Sequence, residues 1–234
     1  MTSALTGTIS ALQRLTPWDR RVAIVSLVLA LVALAELTGE IAGAAAAPAI
    51  DERIYAAVVE LRSDSLTDAV RVITSLADTL TVWIVAVVAV VGALRKRGVS
   101  LALPVLGAIV ATTLVVLVMK GVIARDRPLA PINPGNSTPA YPSGHSAHAV
   151  GTWGALIWMT FTGGSPRAKL LGAGAAFFVA AGVGLSRIYL GVHWPSDVVA
   201  GWAVGGICLS AAILAHRRVP SPSDPDSNEK RPGP

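Results

Sequence analysis

Long stretches without a single charge constrain this chain more than any other feature. Residues 98–119 run 22 positions without one, 79–94 run 16, 149–166 run 18, 170–186 run 17 and 198–215 run 18. About 20 apolar residues in a helix cross a hydrocarbon core of about 30 Å. Lipid offers the backbone no hydrogen-bond partner, so each run must satisfy its own amides as a helix. A sixth run, 22–35, is followed by Glu36 and Glu40 and predicts a span with a polar outer end. An alternative reading of that stretch is a cleaved signal peptide: Arg20 and Arg21, an apolar run, then small residues at 44–47. Either way residue 48 lies across the membrane from residue 20. The expected fold is all-α, a polytopic bundle of six transmembrane helices.

Composition agrees. Only 14% of residues are charged and 53% are hydrophobic, whereas a soluble domain carries about a quarter charged residues. An ordinary water-soluble globule is excluded, and so is disorder over most of the chain. The single cysteine, Cys208, rules out an intrachain disulfide and a cysteine metal cluster.

The net charge of +5 reads as topology. Arg14, Arg20 and Arg21 precede the first run. Arg95, Lys96 and Arg97, then Arg167 and Lys169, then Arg217 and Arg218 follow alternate runs. In a six-span layout all four sets share one side, and the positive-inside rule makes it cytoplasmic, with both termini. The segment 48–75 lies opposite, with five acids (Asp51, Glu52, Glu60, Asp64, Asp68) against three arginines. This leaves no basic patch for nucleic acid. Ile54, Val58 and Leu61 recur there at helical spacing, as a connector packed on the bundle or as an amphipathic helix on the outer leaflet. Gly201 and Gly205 form a small-xxx-small pair that predicts close helix packing. Residues 1–218 form one membrane unit, and the Pro-, Ser- and Asp-rich 219–234 reads as a disordered cytoplasmic tail.

Three polar islands remain, all on the outer side. Lys120, Arg125, Asp126, Arg127 and Pro128 follow the third run. Tyr141, Pro142, Ser143, Gly144 and His145 open the fourth. Ser186 and Arg187 close the fifth, and His193 to Asp197 open the sixth. Fixed cations at Lys120, Arg127 and Arg187 suit a multiply charged anion, and arginine forks match phosphate oxygens. Ser143, Gly144 and His145 stand at a helix start, where free amides and the dipole favour an anion. Two histidines can divide the roles of acid and nucleophile. Asp197, four residues after His193, can fix that ring's tautomer. The set suits phosphoryl transfer without a metal. Arg125 and Asp126 read as a local ion pair or a water-facing loop, and His148 as satisfied by a neighbour on its helix.

The spacing Lys120-x6-Arg127-Pro128, Pro142-Ser143-Gly144-His145 and Ser186-Arg187-x5-His193-x3-Asp197 resembles the three-part signature of the type 2 phosphatidic acid phosphatase superfamily, without a substitution. The resemblance implies a helical bundle, a metal-free and cofactor-free phosphatase and a phosphohistidine intermediate. It makes His193 the nucleophile and Asp197 its orienting partner. It makes His145 the acid for the leaving oxygen and then the base for water, with Lys120, Arg127, Ser143, Gly144 and Arg187 holding phosphate oxygens. The expected protein is an integral membrane lipid phosphatase with its site on the extracytoplasmic face. The leading substrate is a polyprenyl diphosphate, with phosphatidylglycerophosphate or phosphatidate as alternatives. A non-catalytic lipid-phosphate binding or transport protein is the reading from another class.

Overall fold

The structure, a computed structural model, describes residues 17–43, 47–96, 99–129, 131–132, 138–161 and 164–215. The tail 219–234, the alanines at 44–46 and the basic residues Arg217 and Arg218 lie outside them. Among the described residues there are eight helices and no strand. They are α1 (Pro17–Ala42), α2 (Ala49–Val59), α3 (Asp64–Ser75), α4 (Thr79–Lys96), α5 (Val99–Ile123), α6 (Gly144–Phe161), α7 (Pro166–Tyr189) and α8 (Pro195–Ala215).

Each charge-free run of the sequence falls largely within one helix: α1, α4, α5, α6, α7 or α8. Four of these are long and apolar enough to cross a membrane: Asp19–Ala42, Ala102–Ile123, Pro166–Tyr189 and Pro195–Ala215. A fifth candidate is the pair Asp64–Ser75 and Thr79–Gly92, bent by 44° at its break. α6, whose first turns carry His145, Ser146 and His148, is not among them. The outer faces of α1 and α7 carry exposed Val28, Leu29, Val32, Leu171, Phe177 and Phe178, as a helix against lipid requires.

α8 is central and packs against α1, α5, α6 and α7, while α6 also packs on α5 and α7. The α6–α8 crossing is close because glycines make it so. A Cβ at Gly205 would lie 2.4 Å from the Ala147 carbonyl oxygen, and one at Gly201 would lie 2.5 Å from that of Ser143. The small-xxx-small pair therefore does what its spacing predicts. A core of Val82, Ala86, Val105, Ala108, Ile109 and Ala155 joins α4, α5 and α6.

Residues 48–75 fold as two helices, α2 and α3. Ser63 caps α3 by accepting from the Leu66 amide at 3.4 Å. Val58 packs beside the buried Val70 and Tyr189, while Ile50, Ile54 and Leu61 stay exposed. Val58 thus fits the reading as a connector packed on the bundle.

Candidate active site

The ends of the helices assemble the polar islands at one end of the bundle. α5 ends just after Lys120, and α7 ends just after Arg187. α6 starts at Gly144 and α8 at Pro195. The chain leaves α5 through Ala124, a non-glycine residue at φ 47°. This left-handed conformation is uncommon for a residue with a Cβ. The turn sends Arg125 and Arg127 back over the helix ends.

His193 lies in the short loop before α8 and is 2% exposed. Its Nδ1 stands 3.5 Å from Asp197 Oδ2, on the first turn of α8, and its Nε2 stands 3.4 Å from an Arg127 nitrogen. Burial first, then the nearby Arg187, Arg127, Lys120 and His145, push the His193 imidazole well below its ordinary value of 6.5. The ring is therefore neutral near pH 7, with a lone pair to offer. Apart from Asp197, these neighbours come from three separate stretches of chain, and all are cations or histidines.

Arg127 is fixed from several sides. Its Nε donates to the Thr138 carbonyl at 2.8 Å, and NH1 donates to the Val192 carbonyl. Lys120 donates to the Pro139 carbonyl. Arg187 NH1 donates to Thr74 Oγ1 at 2.9 Å, while its Nε is buried without a hydrogen-bond partner among the described residues. Ser143 is fully buried, its amide donates to the Asp197 carbonyl, and its Oγ accepts from Ser146 Oγ at 3.0 Å. A Cβ at Gly144 would meet only Val116 Cγ1, at an ordinary 3.5 Å. Packing does not demand a glycine there.

The structure thus places Arg127, Lys120, Arg187, His145 and Asp197 within electrostatic reach of His193, with Ser143 and Gly144 at the start of α6. It also adds residues that spacing did not single out. Arg125 is neither paired with Asp126 nor water-facing. Its side chain is 9% exposed, and donates to Asp197 Oδ1 at 2.6 Å, to Asp51 Oδ2 at 2.8 Å and to Ser196 Oγ at 2.8 Å. Its guanidinium sits 5.7 Å from the centre of the Trp194 ring. Asp51, 1% exposed, also accepts from the amide and hydroxyl of Ser196. Asp197 is therefore held by Arg125 and by the Trp194 amide at 2.8 Å as well as facing His193. His145 Nε2 lies 2.9 Å from Asp78 Oδ1. His148 bonds Thr152 Oγ1 at 3.0 Å, the helix-neighbour role expected of it. Among the described residues no group of three or more His, Cys, Asp or Glu is placed to hold a metal ion.

The family model described as the PAP2 superfamily matches residues 101–220, more than half of the chain. The chain belongs to the PAP2 superfamily. Over 118 residues it is 37% identical to the undecaprenyl-diphosphatase of Sulfolobus acidocaldarius, covering 47% of this chain and 51% of that protein. Over 88 residues it is 41% identical to the decaprenylphosphoryl-5-phosphoribose phosphatase of Mycolicibacterium smegmatis, covering 36% and 43%. The chain thus spans about half the length, or less, of these curated relatives. Among solved structures it resembles the first transmembrane PAP2-type phosphatidylglycerolphosphate phosphatase from Bacillus subtilis. The TM-score is 0.70 at 26% identity, over 81% of this chain and 93% of that one. The PAP2 relationship and the apolar helices together identify a multi-pass membrane protein.

Proposed function

We propose that this PAP2 protein hydrolyses the terminal phosphate of a membrane lipid phosphate or diphosphate through a phosphohistidine on His193. One observation carries the reading. A buried imidazole faces Asp197 at one nitrogen and Arg127 at the other, with Lys120 and Arg187 close enough to disfavour its protonation. Neutrality makes His193 a nucleophile, and the fixed cations stabilise the charge that develops on phosphate oxygens. Ser143 Oγ already accepts from Ser146, which leaves its own proton for a phosphate oxygen. Gly144, with room for a Cβ, suits the approach of a bound oxyanion to the helix start.

The sequence of events is short. His193 Nε2 attacks phosphorus as His145 protonates the leaving oxygen. His145 then takes a proton from water, whose oxygen displaces His193. Asp197 holds the His193 ring in place. The cation set does the work a metal would otherwise do, so no metal is required. Six crossings are part of the proposal, with the site on the extracytoplasmic face.

A lipid substrate is supported by a cavity of about 340 Å³ beside the site, where Ile41 and Ile123 meet Arg125, Arg127 and Trp194. A polyprenyl diphosphate is the favoured substrate, because the two curated relatives described above are named for polyprenyl-bearing phosphates, while others, at 31% identity, are named phosphatidylglycerophosphatase B. The test is phosphate release by purified, detergent-solubilised protein from undecaprenyl diphosphate, phosphatidylglycerophosphate and phosphatidate in parallel, before and after EDTA dialysis. Release should survive EDTA and be fastest with the polyprenyl diphosphate. His193→Ala should lose at least about 10³-fold in turnover. No release from any of the three, or loss on EDTA reversed by Mg²⁺, would overturn the proposal.

A further inference from the structure

The elbow between α3 and α4 lies outside residues 101–220, yet it touches the site twice and the body of α6 once. Thr74 Oγ1 accepts from Arg187 NH1 at 2.9 Å. The Leu76 carbonyl accepts from Trp153 Nε1 at 2.8 Å. Asp78 Oδ1 stands 2.9 Å from His145 Nε2. Asp78 is half exposed and has water available, so burial does not force this pairing. His145 in turn faces Arg187 from α7, His148 on its own helix and His193 from the loop before α8. Among these groups Asp78 supplies the one carboxylate.

We infer that Asp78 is the positioning residue of His145: it holds Nε2 protonated and so makes Nδ1 the nitrogen that exchanges protons with the leaving group and water. This deepens the proposed reaction and rests on His145 being its acid. A carboxylate only accepts, so the hydrogen on this bond belongs to Nε2. While the His193 N–P bond forms and the P–O bond breaks, the Nδ1 proton passes to the leaving oxygen. His145 is left neutral, with Nε2–H still on Asp78 and a lone pair on Nδ1. In the second half water gives a proton to Nδ1 as its oxygen bonds phosphorus, and the P–N electron pair returns to His193. The site then holds two His–carboxylate pairs, one for each histidine.

The test uses the full chain with Asp78→Ala, and with Asp78→Ser, which retains a helix-capping side chain before α4 but no carboxylate. Both should lower turnover of an alkyl lipid phosphate about tenfold to a hundredfold with KM unchanged, since a poor leaving group needs its proton. The burst from 4-nitrophenyl phosphate should change less than about threefold, because a good leaving group does not. The plot of log rate against leaving-group pKa should steepen. Asp78→Glu should recover part of the loss, and Asp78→Ala should add nothing to His145→Ala. Imidazole ¹⁵N NMR across a pH series should show the neutral form of His145, the one left after it has given up its Nδ1 proton, as the Nε2–H tautomer in the wild type and as a mixture in Asp78→Ala. Equal losses for both leaving groups, or an unchanged tautomer, would overturn the inference. If the wild type cleaves no lipid phosphate, the proposed reaction fails, and the NMR arm still decides the pairing.

Discussion

Asp197 shows how a single carboxylate is held ready. One oxygen takes the Trp194 amide and faces His193, and the other takes Arg125, which also bonds the buried Asp51. Asp51, Arg125 and Asp197 come from α2, the loop after α5 and α8. They form an ion triad with side chains 1%, 9% and 0% exposed. Charges that far from water are costly to leave alone. Arg125→Ala should therefore destabilise the protein by about 3–5 kcal/mol. Asp51→Asn should cost less, because Arg125 keeps Asp197. In the double variant the two losses should fall short of their sum by about 0.5–3 kcal/mol, the coupling expected of direct partners. Equilibrium unfolding in mixed micelles measures all three, and simple additivity would show that the triad is not a unit. The candidate residues of the three-part signature were legible from spacing, since each island is local in sequence. Arg125 was not, because its partner Asp51 is 74 positions away and reads in isolation as one more acid of an outer loop.

At the scale of elements, the apolar runs located the six long helices, because hydrophobic length is a local property of sequence. The break at 76–78 was not legible. α3 is polar enough to read as loop, and what fixes its angle to α4 includes contacts with Trp153 and Arg187, on α6 and α7. The α6–α8 crossing was anticipated from Gly201 and Gly205, and it is the joint that sets Ser143 against Asp197. The Ser143 amide donates to the Asp197 carbonyl at 2.9 Å across it. Gly205→Ala should push the helices apart, since the new methyl group meets backbone atoms on α6 and not a flexible side chain. A loss of about 1–3 kcal/mol is expected, together with a fall in turnover. Gly107→Ala, on α5 with nothing within 4 Å of the new atom, is the matched control and should leave both unchanged or slightly raise stability. Thermal unfolding and phosphate release on the two variants give the answer. Equal behaviour would show that the crossing does not depend on close approach.

At the scale of the whole molecule, direction is the strongest argument for six crossings. α1, α5 and α7 arrive at the site end with their C-termini, and α4, α6 and α8 leave it from their N-termini: Thr38 on α1 bonds Tyr141, and Asp78, at the head of α4, bonds His145. At the other end Lys169, at the start of α7, holds Asp19, at the start of α1, at 2.8 Å. α4 and α6 are 18 residues each, about 27 Å of helix, enough to span most of the hydrocarbon core, although α4 counts as a candidate only together with α3 and α6 does not count as one. For α6 the polar start is the reason, and that start is where the site is built. The alternation requires Asp68 on the side of the site, and residues 98 and 165 on the other. Single cysteines at Asp68, Gly98 and Ser165, each in a Cys208→Ser background, can be labelled in intact cells with an impermeant thiol reagent. Asp68→Cys should react, while Gly98→Cys and Ser165→Cys should react only after permeabilisation. Labelling of Gly98→Cys in intact cells would mean that α4 does not cross, and labelling of Ser165→Cys alone would turn the molecule over. The second outcome would deliver phosphate to the cytoplasm and confine the substrate to lipids of the inner leaflet.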